Sequence, residues 1–251
     1  MGEQQTDTAL ELVVAPDTEY EPRLMVAIMP ERTGVPNSDI FFDFIEMATR
    51  AAIDGFGIMR ASPAHVAMAR NRAAQHFLES DPMYTHLLML DADHRHPPTL
   101  PLHMAKRFKA SPAKKVISAL VFRRGRPFDP CHYIADEDGI IYTIANWSPG
   151  LIKIDVSGTA ALCVAREVFE TIPEPWFYFD WGGANAGNYP GEDTYFSRMC
   201  HDYGIDMWVD TTICSPHMDY QYIDTDTFKS YLAMKQSEQI GELIHDESEG
   251  T

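Results

Sequence analysis

The chain alternates between blocks of different hydrophobic period. Leu24-Met25-Val26-Ala27-Ile28-Met29 and His86-Leu87-Leu88-Met89-Leu90 are short, almost wholly apolar runs flanked by turn-forming residues. Such runs predict strands of a parallel sheet, buried on both faces. Residues 40–52 and 64–78 instead repeat apolar side chains every three to four positions, which predicts helices, with Asp39 placed to cap the first. Phe56 to Met59 reads as a short strand between them. A helix over Leu100 to Phe108 and a strand over 115–122 continue the series. Strand and helix in regular alternation predict right-handed βαβ units, hence an α/β, Rossmann-like domain with a mostly parallel central sheet flanked by helices.

Beyond residue 125 the pattern changes. Short hairpin-like pieces (Tyr133, Ile140 to Ile144, Leu151 to Val156) form a smaller β and loop region. They precede a short helix near Arg166 to Thr171, an aromatic and glycine-rich loop from Trp176 to Gly191, and a helix from Glu192 to Tyr203. The expected organisation is an acidic, flexible tail over 1–22, one domain over 23–225, and a C-terminal helix with an acidic tail over 226–251.

Composition narrows the function classes. With 251 residues and a net charge of −17, general binding to nucleic acid is disfavoured, because phosphate backbones are held by Lys and Arg. No apolar run reaches the roughly 18 residues of a membrane span, and the polar start lacks the core of a signal peptide. The expectation is a cytoplasmic protein with no membrane partner. The four cysteines form no Cys-x-x-Cys pair, and Cys163 lies within an apolar run, so reduced structural thiols are expected. The Gly-x-Gly-x-x-Gly fingerprint and the Walker lysine loop are both missing, which weakens dehydrogenase and P-loop readings.

The candidate chemistry begins where the third strand ends, at Asp91-Ala92-Asp93. The C-terminal edge of an open α/β sheet is where ligands bind. Two carboxylates suffice there for a hard divalent cation, since substrate phosphates and water fill its other positions. A plainer reading has Asp93 capping the helix that follows Pro97-Pro98.

Several short motifs stand in one order. Asp91-Ala92-Asp93 is followed by Val156-Ser157-Gly158-Thr159-Ala160, then by Gly191-Glu192-Asp193 opening a helix, then by the strand Met207-Trp208-Val209-Asp210 and His217. In this order the chain, over about residues 23 to 220, resembles a GT-A fold glycosyltransferase, and most nearly the compact family-2-like enzymes common in phage genomes. The Gln-x-x-Arg-Trp motif of processive synthases is absent, which points to transfer of a single sugar.

The resemblance implies roles residue by residue. Asp91 and Asp93 would hold Mn²⁺ or Mg²⁺ against the diphosphate of a nucleotide sugar, with His217 as a third ligand; an imidazole favours manganese. The plain reading of His217 is a loop histidine. Asp193 would be the base of an inverting transfer and Glu192 an acceptor contact, although either acid could simply sit favourably at a helix N-terminus. Pro30, Glu31 and Arg32 lie where such proteins bind the nucleoside. Arg70 and Asn71 belong to a segment resembling one that faces the donor, as does Ala92; since Arg70 and Arg72 diverge on a helix, at most one reaches it. His94 and His96 are expected only to line the loop.

On the acceptor side, Gly158 and Thr159 follow the family order. Arg123, with Arg124 and Arg126, forms the densest basic cluster, and Trp176 and Trp181 bracket an aromatic run suited to covering a sugar or base ring, or to the core. Gly182 to Asn188 is permissive enough for a lid. The expected partners are a nucleotide sugar, with UDP-sugar favoured, and an acceptor glycan, small molecule or hydroxymethylated DNA base. A host cytoplasm is expected if the gene is phage-borne. A nucleotidyltransferase and a non-catalytic sugar-nucleotide-binding protein are the competing classes.

Overall fold

The computed structural model describes residues 20–29, 38–61, 64–179, 191–219 and 222–236. The expectations for Pro30, Glu31, Arg32, Trp181, the 182–188 loop and most of both tails lie outside these residues.

A seven-stranded sheet carries the fold. Its strands are β1 (Leu24–Met29), β2 (Gly57–Arg60), β3 (His86–Asp91), β4 (Val116–Leu120), β7 (Leu151–Ile154), β9 (Ala161–Ala165) and β10 (Met207–Cys214), in the spatial order β2-β1-β3-β9-β4-β10-β7. Five of these strands run parallel; β9 and β7 run against them. The mostly parallel α/β sheet read from the alternation is therefore present, with one feature the alternation does not carry. The antiparallel β9 sits in mid-sheet, pairing with β3 from His86↔Ala165 to Leu90↔Ala161 and with β4 on its other side. Its five residues are all buried, so its apolar run is as unbroken as that of its parallel neighbours.

Each central strand feeds two cores. On β1, Leu24 and Val26 join one cluster while Met25, Ala27 and Met29 join the other, and β3 divides likewise into Leu88, Leu90 and Leu87, Met89. This is the two-residue period of a pleated strand between helical layers. Helix α1 (Ser38–Ile53) and α3 (Leu100–Ala110) cover the first face through Ile40, Phe44, Met47, Met104 and Phe108. Helix α2 (Val66–Glu79), α4 (Arg166–Thr171) and α5 (Glu192–Asp202) cover the second through Ala73, Phe77, Phe169 and Phe196. Asp39 lies inside the first turn of α1 rather than ahead of it, which corrects its expected role as N-cap.

The smaller region is a three-stranded sheet of β5 (His132–Ala135), β6 (Ile141–Thr143) and β8 (Val156–Ser157). A two-residue pair, β11 (His217–Met218) and β12 (Tyr222–Ile223), precedes helix α6 over 225–236. Phe228 anchors α6 by stacking on Trp147 and packing on Phe122.

Two polar anchors tie the layers together. Asp210 of β10 is fully buried and is held by His103 and Arg107 of α3 and by Thr212. Burial alone would raise its carboxyl, but these hydrogen bonds outweigh it and hold the group below the usual carboxylate range. His132 is also fully buried; its Nε2 accepts the Val121 N–H at 3.2 Å and its Nδ1 lies 3.3 Å from the Ser157 hydroxyl.

Burial pushes the imidazoles of His86 and His132 down to about 3. An unfolded histidine titrates near 6.5, so between those values the unfolded chain binds more protons and acid favours unfolding. Stability is accordingly expected to fall as pH drops from about 6.5 toward about 4, by up to roughly 1.4 kcal/mol per pH unit for each of the two histidines. Urea unfolding across that range measures the slope, and a flat profile between about pH 7 and about pH 5 would contradict the assignment.

Candidate active site

Strand β3 delivers Asp91 to the C-terminal edge of the sheet, where the Asp91 N–H donates to the Ala160 carbonyl and the Ala92 N–H to the Met29 carbonyl. The chain then turns, and a second segment closes on it. The Met218 N–H donates to the Asp93 carbonyl at 2.8 Å, the Arg95 N–H to the Pro216 carbonyl at 2.9 Å, and His94 and His217 form an antiparallel bridge. This short zipper carries His217 across more than a hundred residues of sequence to Asp93.

The side chains converge in consequence. Asp93, His94 and His217 each offer a ligand atom within 4.8 Å of the other two. His217 Nε2 lies 3.1 Å from Asp93 Oδ2, His94 Nδ1 lies 2.8 Å from Oδ1, and the two imidazoles stack with centroids 4.0 Å apart. Burial would raise the Asp93 carboxyl, but its close contacts with His217 and His94 prevail and hold it well below the usual range. A carboxylate suits Mn²⁺ or Mg²⁺ and imidazoles suit softer divalent ions, so the residues present fit a divalent ion, with Mn²⁺ at the hard end of the range they can hold. Asp93 does not cap α3, whose N-cap is Thr99.

His94 and His96 are buried rather than lining a loop, which corrects that expectation. His96 Nε2 donates to the Asp91 carbonyl at 2.8 Å while Nδ1 meets the Ser215 hydroxyl at 3.0 Å, so its ring braces the turn. Burial, with His94 adding to it, lowers His96 to about 4 and keeps it neutral.

Asp91 has a different partner from Asp93. One terminal nitrogen of Arg70 reaches both Asp91 carboxylate oxygens, at 2.8 and 2.9 Å, and the other reaches the Thr159 carbonyl at 3.3 Å. Arg70 Nε lies 3.5 Å from Glu192 Oε1 and makes no hydrogen bond. With only 1% of its side chain exposed, Arg70 points into the protein and not at a donor, against the reading of its segment. Asn71, on the same helix, is bonded within the fold and also lines a cleft beside α2. Its amide oxygen accepts the N–H groups of Trp176 and Phe177, and its nitrogen donates to the Phe177 and Ala67 carbonyls, so the side chain is committed to clamping the aromatic segment onto α2. Ala92 is buried and contributes through its backbone.

Helix α5 opens on Gly191, Glu192 and Asp193 with no side-chain N-cap bond. Asp193 Oδ1 accepts the Thr194 N–H at 2.8 Å and folds back over Gly191, where a Cβ would come within 2.5 Å of it. Only glycine leaves the carboxylate that position. Burial pushes the neighbouring Glu192 carboxyl up while Arg70 opposes it. Through Arg70, Glu192 at the start of α5 is paired with Asp91 at the end of β3.

The remaining expected residues divide. Gly158 is tightly enclosed, since a Cβ there would lie 2.7 Å from Cys131 Cβ, and Thr159 supplies its carbonyl to Arg70. Arg123 is exposed at the rim, and Arg124 turns inward onto Asp93 and His217. Trp176 is corrected from acceptor platform to core. It is 2% exposed and its indole N–H is spent on the Phe169 and Ile172 carbonyls. The aromatic surface falls to Tyr178 and Phe179, which with His65, Met68 and Arg72 line a cleft of about 650 Å³.

No family model and no curated protein matches the sequence. Solved structures do resemble the fold. The crystal structure of A197 from STIV matches with a TM-score of 0.53 at 18% identity, over 78% of this chain and 86% of that one. GalNAc-T7, solved with UDP, GalNAc and Mn²⁺, gives 0.49 at 10% identity over 80% of this chain and 44% of that one. A glycosyltransferase involved in glycosylation of the major capsid of PBCV-1 gives 0.36 at 12% identity, over 73% and 76%. At 18% identity the likeness to A197 is one of fold.

Arg70→Ala would leave Asp91 and Glu192 facing each other without a counter-charge. The expected loss is about 3–5 kcal/mol of unfolding free energy, the usual result of removing one partner of a buried ion pair. Denaturant unfolding measures it, and a loss below about 1 kcal/mol would show that water already screens the cluster.

Proposed function

We propose that the protein is a metal-dependent glycosyltransferase of the compact family-2-like kind, moving one sugar from a nucleotide donor, a UDP-sugar, to an acceptor hydroxyl with inversion. The observation that carries the reading is the convergence of Asp93, His94 and His217 at the ligand edge of the sheet, with Arg70 tying Asp91 to Glu192, the acid next to Asp193 at the start of α5. Asp93 and His217, joined by His94, are the residues that would hold Mn²⁺ or Mg²⁺. Bound there, the ion supplies a Lewis acid that neutralises a leaving diphosphate.

The chain's own groups do the rest. The acceptor oxygen forms its bond to the anomeric carbon as the bond to the diphosphate breaks, and the hydroxyl proton passes to the Asp193 carboxylate. Glu192 lines the acceptor side, kept in place by Arg70. Gly191 keeps the Asp193 carboxylate folded back, so a larger residue there would move the base without touching it chemically. A glycan or small molecule suits this arrangement better than DNA. Of the arginine cluster, Arg124 is turned onto Asp93 and His217, and the net charge of −17 opposes a duplex.

Two outcomes test the reading. Mass spectrometry of the protein with a panel of nucleotide sugars is expected to show slow donor hydrolysis that requires Mn²⁺, stops in EDTA and is lost in Asp93→Ala; hydrolysis indifferent to EDTA sinks the metal assignment. With the reactive donor and an acceptor, Asp193→Asn is expected to retain donor affinity while transfer drops by about 10²-fold or more. An amide would serve a purely structural first-turn role nearly as well, so transfer close to that of the unaltered protein removes Asp193 as the base.

A further inference from the structure

His217 has its proton placed by the fold. Its Nδ1 lies 2.9 Å from the Phe122 carbonyl, and a carbonyl oxygen only accepts, so Nδ1 carries the hydrogen. In the neutral ring the Nε2 lone pair then faces Asp93 Oδ2 at 3.1 Å. Two acceptors held that close need a positive charge on or between them. Arg124 supplies one. Its Nε lies 3.2 Å from His217 Nε2, and its terminal nitrogen donates to Asp93 Oδ2. The guanidinium thus uses the same two atoms that would ligate a metal.

The placement is built into the loop after β4. The Arg123 N–H donates to the Asp129 carbonyl, the Phe128 N–H donates to the Gly125 carbonyl, and Phe122 bridges Pro130, so residues 123–129 form a closed turn. Phe122, which fixes the His217 proton, stands two residues before the arginine that meets the other side of the same ring.

We propose that Arg124 is a built-in counter-cation of Asp93 that competes with the divalent ion for Asp93 and His217, so that the site binds free metal weakly. The proposal rests on the metal site described above and adds to it a residue that sets its affinity. Any ion entering must displace the guanidinium from both ligand atoms. Removing Arg124 should therefore tighten metal binding. A ligand residue does the reverse when removed.

Calorimetric titration of the full chain with Mn²⁺ alone provides the test, comparing the unaltered protein with Arg124→Ala, Arg126→Ala and Asp93→Ala. Arg124 is half exposed, so its replacement leaves the core intact. The expected result is Mn²⁺ binding tightened by about 5- to 100-fold in Arg124→Ala, the usual span of coupling between two sites, and unchanged within about twofold in Arg126→Ala, with binding lost in Asp93→Ala. Unchanged or weaker binding in Arg124→Ala overturns the proposal and, if Asp93→Ala still abolishes binding, leaves the metal site standing. Equal tightening in Arg126→Ala overturns it in favour of general charge repulsion. No Mn²⁺ binding in the unaltered protein or in Arg124→Ala overturns both the proposal and the metal site.

Discussion

The candidate site depends on one buried guanidinium. Arg70, on α2, touches the end of β3 through Asp91, the start of β9 through the Thr159 carbonyl, and the start of α5 through Glu192. A desolvated positive charge is stable only when surrounded by acceptors, so the three segments can pack around Arg70 in few ways. That requirement holds Asp91 at the strand end beside Glu192 at the helix start.

A second set of backbone bonds completes the edge. Residues 93–95 and 216–218 pair as a short antiparallel zipper, and this pairing, not any local preference of His217, brings an imidazole to Asp93. His96 and Ser215 brace the same junction from below. The ring orientations are fixed by carbonyls, those of Phe122 for His217 and Asp91 for His96. Rings held by backbone acceptors are preorganised, so little ordering remains to be done at this edge.

The same division of labour runs through the aromatic segment. Asn71 fixes Trp176 and Phe177 by their backbone, Phe177 stacks on Phe196 of α5 at 4.7 Å, and the next two aromatics are left to line the cleft. Polar residues on α2 that looked suited to a ligand are instead the fasteners of the surfaces around it.

Much of this was open to sequence reasoning, because periodicity is a local property. The apolar runs of β1 and β3, the helical spacing of α1 and α2, and the acids at the end of β3 and the start of α5 all stand within a few residues of one another, and the elements appear with bounds shifted by one or two positions. The direction in which a side chain points, and the strand beside which it lies, are not local. Nothing near Arg70 or Asn71 distinguishes a charge aimed at a ligand from one buried under Asp91, and nothing near His94 separates a ligand from loop lining. Trp176 reads equally as platform or core. Those choices fall to burial and to partners about twenty to more than a hundred residues away, since a buried charge or amide must be matched by whatever acceptor or donor the completed fold brings to it.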